Sequence, residues 1–170
     1  MDQPALPPTD KAASHPRRFD SLEQEAFLNL WRTYDRLHLR EEELFGRYDL
    51  TPQQYNALRL LRGEGEGKLA TLALAARLVS RAPDITRLLD KLEERGFIER
   101  ERPADNRRMV LIGLTDAGRS LLADLDQRVR ECHVRQLGHL SEKQLRELIT
   151  LLQAARGVHE EPHGHWMPAK

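Results

Sequence analysis

A mostly α-helical fold carrying one small β-hairpin is what this sequence predicts, and three observations carry that expectation. Apolar residues recur at helical spacing in segments from Leu22 to Leu152. The exception is a central stretch where residues 97–102 and 109–114 flank the run Pro103-Ala104-Asp105-Asn106-Arg107-Arg108. That composition reads as strand, turn, strand, because Pro, Asp and Asn each favour chain reversal for their own backbone reason. Just before the hairpin, two short helices follow one another across a turn. The first is Ala-rich and runs through Leu72, Leu74, Ala75, Ala76 and Leu78; in the second, Ile85, Leu88, Leu89 and Leu92 fall at i, i+3, i+4, i+7 and share one face. Helix, turn, helix and hairpin in that order make a winged helix-turn-helix, a DNA reader, with further helices at both ends of the chain.

A length of 170 residues predicts one domain with tails. Residues 1–18 are Pro-rich, lack a hydrophobic period and are expected to form a disordered tail. The first helix is expected to start at Ser21, where Ser21 and Gln24 have capping-box spacing. It continues through Leu22, Phe27, Leu30, Trp31, Tyr34, Leu37, Leu44 and Phe45. Thr51 then caps a second helix with Pro52 at its first position and Gln54 closing the box, followed by Tyr55, Leu58, Leu60 and Leu61. Gly63, Gly65 and Gly67 end that helix and form a linker; they lack the Lys-Ser/Thr pair of a phosphate-binding loop.

The helix ending at Gly96 is given Ser80 as its N-cap, with Pro83 in its first turn, where amide donors have no intrahelical partner. Opposite its apolar face lie Ser80, Pro83, Asp84, Arg87 and Lys91, a polar set of the chemistry that fits a major groove. The start of the preceding helix is set at Thr71 or one residue earlier, since Ala70 offers no capping side chain. Beyond the hairpin the helical period resumes from Thr115 through Leu121, Leu122, Leu125, Val129, Cys132 and Leu137. Ser141 and Gln144 then box a final helix with Leu145, Leu148, Ile149 and Leu152.

The run from Ile85 through Arg95-Gly96-Phe97-Ile98-Glu99-Arg100 to Asp105-Asn106-Arg107-Arg108 and Leu114-Thr115-Asp116-Ala117-Gly118 resembles the MarR family of transcriptional regulators. The likeness covers residues 22–155 in organisation and residues 78–118 closely in motif. It implies a dimer whose second reader helix enters the major groove, whose Asp-x-Arg wing arginine reaches the minor groove, and whose chain ends form the dimer. The DNA-contacting candidates are Ser80, Arg81, Pro83, Asp84, Thr86, Arg87, Lys91, Arg107 and Arg108; Asp84 is read as orienting Arg87 rather than accepting from a cytosine. The dimer candidates are Leu22, Leu125, Val129, Leu145, Leu148 and Leu152, because a small reader cannot bury all the apolar surface of the terminal helices by itself. An effector pocket, implied by the resemblance where the first two helices meet the reader, has Trp31, Tyr34, His38 and Tyr55 available to line it. A small aromatic acid would suit these side chains, although aromatics at helical spacing more often pack than bind.

The expected boundaries are a tail at 1–18, the domain at 19–157, with the reader at about 51–115 between dimerisation helices at about 20–48 and 115–157, and a flexible tail at 158–170. The 27 basic and 27 acidic residues leave the net charge at zero, so bulk composition gives no hint of a nucleic-acid partner. Residues 77–108 are modestly basic, nine Lys or Arg against seven Asp or Glu, whereas residues 20–50 hold four against eight. Cys132 is the single cysteine, which precludes an intramolecular disulfide and fits a reducing cytoplasm; its place on an apolar period reads as core rather than as a peroxide sensor. No apolar run approaches the ~20 residues of a membrane span, and the N-terminus lacks the core of a signal peptide. His159, His163 and His165 lie in a polar tail, read as solvated rather than metal-binding, so no metal or cofactor is expected.

No nucleophile, base and orienter come together, and the chain is not expected to be an enzyme. The leading expectation is a ligand-responsive repressor that binds a pseudo-palindromic operator as a homodimer. The alternative is a winged-helix module that binds another protein and never touches DNA. Arg107 and Arg108 at the wing tip separate the two, since they suit phosphates and a narrow minor groove, whereas an interaction face would favour aromatic anchors.

Overall fold

The computed structural model describes residues 19–80 and 84–160. In order, the elements are α1 (Leu22–Gly46), α2 (Pro52–Gly63), β1 (Leu69–Ala70), α3 (Thr71–Arg77), α4 (Ile85–Glu94), β2 (Ile98–Glu101), β3 (Leu111–Leu114), α5 (Asp116–Leu137) and α6 (Glu142–Gly157). The chain divides into two compact units at Arg36, within α1; the second, from Leu37 on, holds the reader, α5 and α6. The fold is mostly helical with a small three-stranded antiparallel sheet in the order β1-β3-β2.

The caps follow from local chemistry. Thr51 accepts from the Gln54 N–H at 3.2 Å while the Thr51 N–H donates to Gln54 Oε1 at 2.8 Å, with Pro52 opening α2. Ser141 and Gln144 form the same reciprocal pair ahead of α6, and Thr115 caps α5. At α1 the arrangement differs from the expected box: Ser21 accepts from the Gln24 N–H, but Gln24 Oε1 reaches one residue further back, to the Asp20 N–H at 2.8 Å. Helix α3 starts at Thr71 behind Ala70, with no side-chain cap; the Thr71 N–H donates instead to Val110 O at 3.1 Å, across to the strand side of the wing.

Two features go beyond the sequence reading. β1 pairs Leu69 with Ile112 and Ala70 with Leu111, turning the expected hairpin into three strands, and β2 and β3 are shorter than the stretches predicted for them. Two residues cannot display an alternation, so nothing local announces β1. The second correction concerns α5. Leu125 and Val129, expected between two copies of the chain, are 0% and 4% exposed within this one, in a core with Leu58, Leu61, Leu74, Leu89, Leu92, Ile112, Leu122 and Cys132. Each such side chain contributes about 1.5–3 kcal/mol by leaving water, so α5 turns this face to its own reader because α2 lies there to receive it.

Polar contacts fix that packing. The Arg62 guanidinium on α2 donates twice to the Asp126 carboxylate on α5, at 2.9 and 2.8 Å. Gln136, buried near the end of α5, donates to Leu37 O at 2.8 Å, and His133 lies 3.4 Å from Glu41. Cys132 is buried among these residues, and burial pushes its thiol up from the ordinary value. The chemistry is that of a small core residue with little thiolate to offer an oxidant.

The hydrogen bonds from Arg62 hold the Asp126 carboxyl below the usual carboxylate range. A depressed folded value means stability present above the unfolded pKa and lost as pH falls through the folded one; Arg62 stays charged throughout. With both side chains about a third exposed to water, the pair is worth about 1 kcal/mol after screening. Asp126→Asn should therefore lower unfolding stability by about that amount at neutral pH, and the gap from the native protein should close as pH falls below about 4. Urea titrations of both proteins from pH 7 to pH 3 check it.

Candidate nucleic-acid interface

Helix α4 buries Leu89 and Leu92 fully, with Ile85 and Leu88 half-buried, so the apolar stripe expected from its spacing faces the core. Thr86, Arg87 and Lys91 are exposed on the rest of its surface. Its start corrects the sequence reading. The N-cap is Asp84, whose carboxylate accepts from the Arg87 N–H at 2.9 Å, and the helix begins at Ile85. Asp caps as well as Ser does, and here it stands directly before the first residue of the buried stripe. Ser80, exposed, therefore lies ahead of the helix rather than on its outer face, and Asp84 acts on the backbone of Arg87 as a cap. Arg81 and Pro83 lie outside the described residues.

The end of α4 is a corner. Gly96 takes φ +70°, the left-handed region open to glycine, and lets the Phe97 N–H turn back to Leu92 O at 3.0 Å. The Thr115 hydroxyl donates to Gly96 O at 2.6 Å, and the Thr115 N–H donates to Phe97 O at 3.1 Å. At Gly118, three residues on, a β-carbon would lie 2.3 Å from Phe97 O and 2.7 Å from Leu114 Cδ1, so only glycine lets α5 start this close to the corner. Arg95 ties the corner to the α1–α2 turn, donating to Asp49 O at 2.6 Å and Tyr48 O at 2.9 Å with its guanidinium 4.7 Å from the Phe97 ring centre.

Arg107 and Arg108 are exposed at the wing tip, where the Asn106 N–H donates to Pro103 O and the Met109 N–H donates to Asn106 O. Among the described residues, neither they nor Arg87, Lys91 or Arg102 pair with a carboxylate. Arg100 differs: its Nη1 lies 2.6 Å from Asp90 Oδ1 and 3.0 Å from Glu93 Oε2, and Nη2 lies 3.4 Å from Thr86 O, all three on α4. Between α4 and the wing runs an open groove of about 840 Å³ edged by Thr71, Thr86, Arg100, Arg102, Asn106 and Arg108. Arg100 escapes sequence reasoning because its partners on α4 are not at helical or strand spacing from it; the turn at Gly96 brings β2 alongside α4.

The candidate effector residues separate. Tyr55 is buried, its ring stacked on Phe45 with centroids 4.4 Å apart, so it serves the core. His38 is half-buried on its own helix beside Glu41 at 3.8 Å and Glu42 at 3.3 Å. Trp31 and Tyr34, in the first unit, are 61% and 56% exposed, and Trp31 leans on Phe27 with ring centres 6.1 Å apart. Of the tail histidines, His159 is exposed and the other two lie outside the described residues; no group of three His, Cys, Asp or Glu able to hold a metal occurs among the described residues.

Residues 50–110 match the MarR family model. The uncharacterized HTH-type transcriptional regulator YkoM of Bacillus subtilis (strain 168) is 30% identical over 151 residues, spanning 84% of this chain and 94% of that protein. The chain belongs to the MarR family. A MarR transcription factor from Planctomyces limnophilus, known from its crystal structure, is 55% identical with a TM-score of 0.64, covering 81% of this chain and 99% of that one. CouR from Rhodococcus jostii RHA1, solved bound to p-coumaroyl-CoA, is 25% identical with a TM-score of 0.67, covering 81% and 95%. The chain is thus a winged-helix transcriptional regulator of a DNA-binding family, as the motif around Gly96 and Gly118 implied. No helix among its described residues is long and apolar enough to cross a membrane.

In this MarR protein the corner sets the angle at which α4 leaves the sheet. Gly118→Ala should cost about 1–3 kcal/mol through forced displacement, more than the helix propensity alanine gains. Denaturant unfolding measures it; a variant as stable as the native protein would show that the corner yields easily.

Proposed function

We propose that this MarR-family protein is a ligand-responsive repressor that binds a pseudo-palindromic operator as a homodimer in the cytoplasm. The observation that carries the DNA reading is a set of exposed cations with no carboxylate partner among the described residues, on two elements locked together: Arg87 and Lys91 on α4, Arg107 and Arg108 on the wing. Thr86, and Asp84 through its cap on the Arg87 backbone, complete the α4 surface, and Ser80 lies ahead of it; Arg81 and Pro83, proposed as DNA contacts from the sequence, lie outside the described residues. Arginine on α4 can bridge guanine O6 and N7 in a major groove, while wing arginines suit phosphates and a narrow minor groove.

Support for the dimer lies in the terminal helices. Leu22 is 78% exposed on α1, and no residue of α6 is fully buried, leaving Leu145, Leu148 and Leu152 half-exposed beside Ile149 and Leu151. Apolar faces of this size are what a second copy would cover. With Leu125 and Val129 assigned to the core, Leu22, Leu145, Leu148 and Leu152 remain as its dimer residues. Two readers related by a two-fold axis imply half-sites about one helical turn, ~10 bp, apart.

For the effector, Trp31, Tyr34 and His38 are the side chains in reach of solvent, and a small aromatic acid suits them. CouR, bound to p-coumaroyl-CoA, is a relative whose ligand carries a phenol. A panel of aromatic acids assayed for loss of DNA affinity and gain in thermal stability tests this; a panel with neither effect removes the proposal.

Arg87→Ala should cost ~1–3 kcal/mol per half-site and relax preference at one base position, whereas replacing Arg107 and Arg108 together should weaken operator and random DNA alike. The double variant should also lower the salt slope by roughly 0.9 for each phosphate that the wing no longer neutralises. Titrations against operator and scrambled duplex at several salt concentrations separate the two, and an unchanged slope in the wing variant overturns its assignment. Leu148→Asp should split the dimer and abolish tight DNA binding while leaving the protomer folded, whereas Leu125→Asp should unfold it, since it places a charge in the core. Sedimentation and circular dichroism distinguish these outcomes, and a native protein that sediments as a monomer at micromolar concentration refutes the dimer.

A further inference from the structure

We propose that Arg100 is a positioning residue for DNA binding that neutralises Asp90 and Glu93 on the recognition helix and fixes the flank carrying them against the wing. The inference rests on the DNA-binding reading above and adds a division of labour among the basic residues. Around α4, Thr86, Asp90 and Glu93 line the flank between the stripe buried in the core and the stripe carrying Arg87 and Lys91. Two carboxylates there would set negative charge beside a phosphate backbone that Arg87 and Lys91 must approach. Arg100 meets both from β2, at 2.6 and 3.0 Å, and takes Thr86 O at 3.4 Å. Its side chain is 24% exposed, against 45% and 42% for Asp90 and Glu93. The guanidinium is therefore turned inward to the helix while the carboxylates keep contact with water.

The planar fork divides the contacts: Nη1 meets both carboxylates while Nη2 is turned to the helix carbonyl. The same sorting recurs on the other side of the wing, where Lys68 lies 2.7 Å from both Glu99 and Glu101 and its hydrogen bonds to them raise its pKa. With those four acids matched internally, Arg87, Lys91, Arg102, Arg107 and Arg108 are left as exposed cations, and Glu94 and Asp105 as exposed acids, on α4 and the wing.

The test uses the full-length protein, an operator duplex, a scrambled duplex and the variants Arg100→Gln, Asp90→Asn/Glu93→Gln, and the triple combination. Because Asp90 and Glu93 keep their hydration without Arg100, Arg100→Gln should stay folded by circular dichroism and bind both duplexes about tenfold more weakly at low salt, from like-charge repulsion near phosphate. The triple variant should recover most of that loss, because the carboxylates that repel are gone. A direct Arg100–phosphate contact predicts no recovery, so a triple variant as weak as Arg100→Gln overturns the proposal, as does an Arg100→Gln protein that binds like the native one. Should Arg100→Gln fail to fold, Asp90→Asn/Glu93→Gln decides alone: it should bind scrambled duplex several-fold more tightly than the native protein, and unchanged binding overturns the idea. A native protein that binds neither duplex refutes the DNA-binding reading itself and is recognised before any variant is compared.

Discussion

The reader depends on one backbone corner. At Gly96 the chain leaves α4 in a left-handed turn, runs into β2 through Phe97, and is met there by the start of α5. Thr115 serves both sides at once: its hydroxyl donates to Gly96 O and accepts from the Gly118 N–H, so a single side chain closes α4 and opens α5. The absence of a β-carbon at Gly118 lets the two helices converge on the same peptide. Because α4 is held at this end by hydrogen bonds and along its inner face by Leu89 and Leu92, its outer face has little freedom to choose its direction. Recognition by a helix needs that rigidity, since a base contact depends on side chains held to within fractions of an ångström.

Electrostatics adds a second layer. The whole chain carries no net charge, and the reader segment is only slightly basic. Folding changes what that sum means. Arg100 takes up Asp90 and Glu93, Lys68 takes up Glu99 and Glu101, and Arg77 takes up Glu64. Arg95 is committed to two backbone carbonyls. Arg87, Lys91, Arg102, Arg107 and Arg108, the cations of α4 and the wing with no carboxylate partner among the described residues, are exposed, so folding sets cations with open hydrogen-bonding capacity on these two elements although the chain as a whole is neutral.

The helices flanking the reader divide their apolar residues in two directions. Along α5, Leu122, Leu125, Val129 and Cys132 are enclosed by the protomer's own core, with Arg62 and Asp126 fastening the seam. Along α6, by contrast, apolar side chains at the same helical spacing are half-exposed or exposed. Periodicity states that a face wants burial, and it is silent on what buries it.

The sequence by itself determined the order and kind of the main elements, the caps at Thr51 and Ser141, the glycine stop at Gly96 and the exposed cations of α4 and the wing. All of these are local: an amide seeks an acceptor three residues away, and a helical stripe repeats within two turns. Only the tertiary structure decided that Asp84 rather than Ser80 caps α4, because both residues cap well and the choice fell to where the buried stripe begins. It also decided the third strand, since Leu69 and Ala70 become a strand only beside Ile112 and Leu111, some forty residues on. The same holds for Tyr55 in the core against Phe45, for Leu125 and Val129 facing α2, and for Arg100 reaching back to α4. In each case the partner is distant in sequence, and a chain read along its length carries no measure of which distant surfaces will meet.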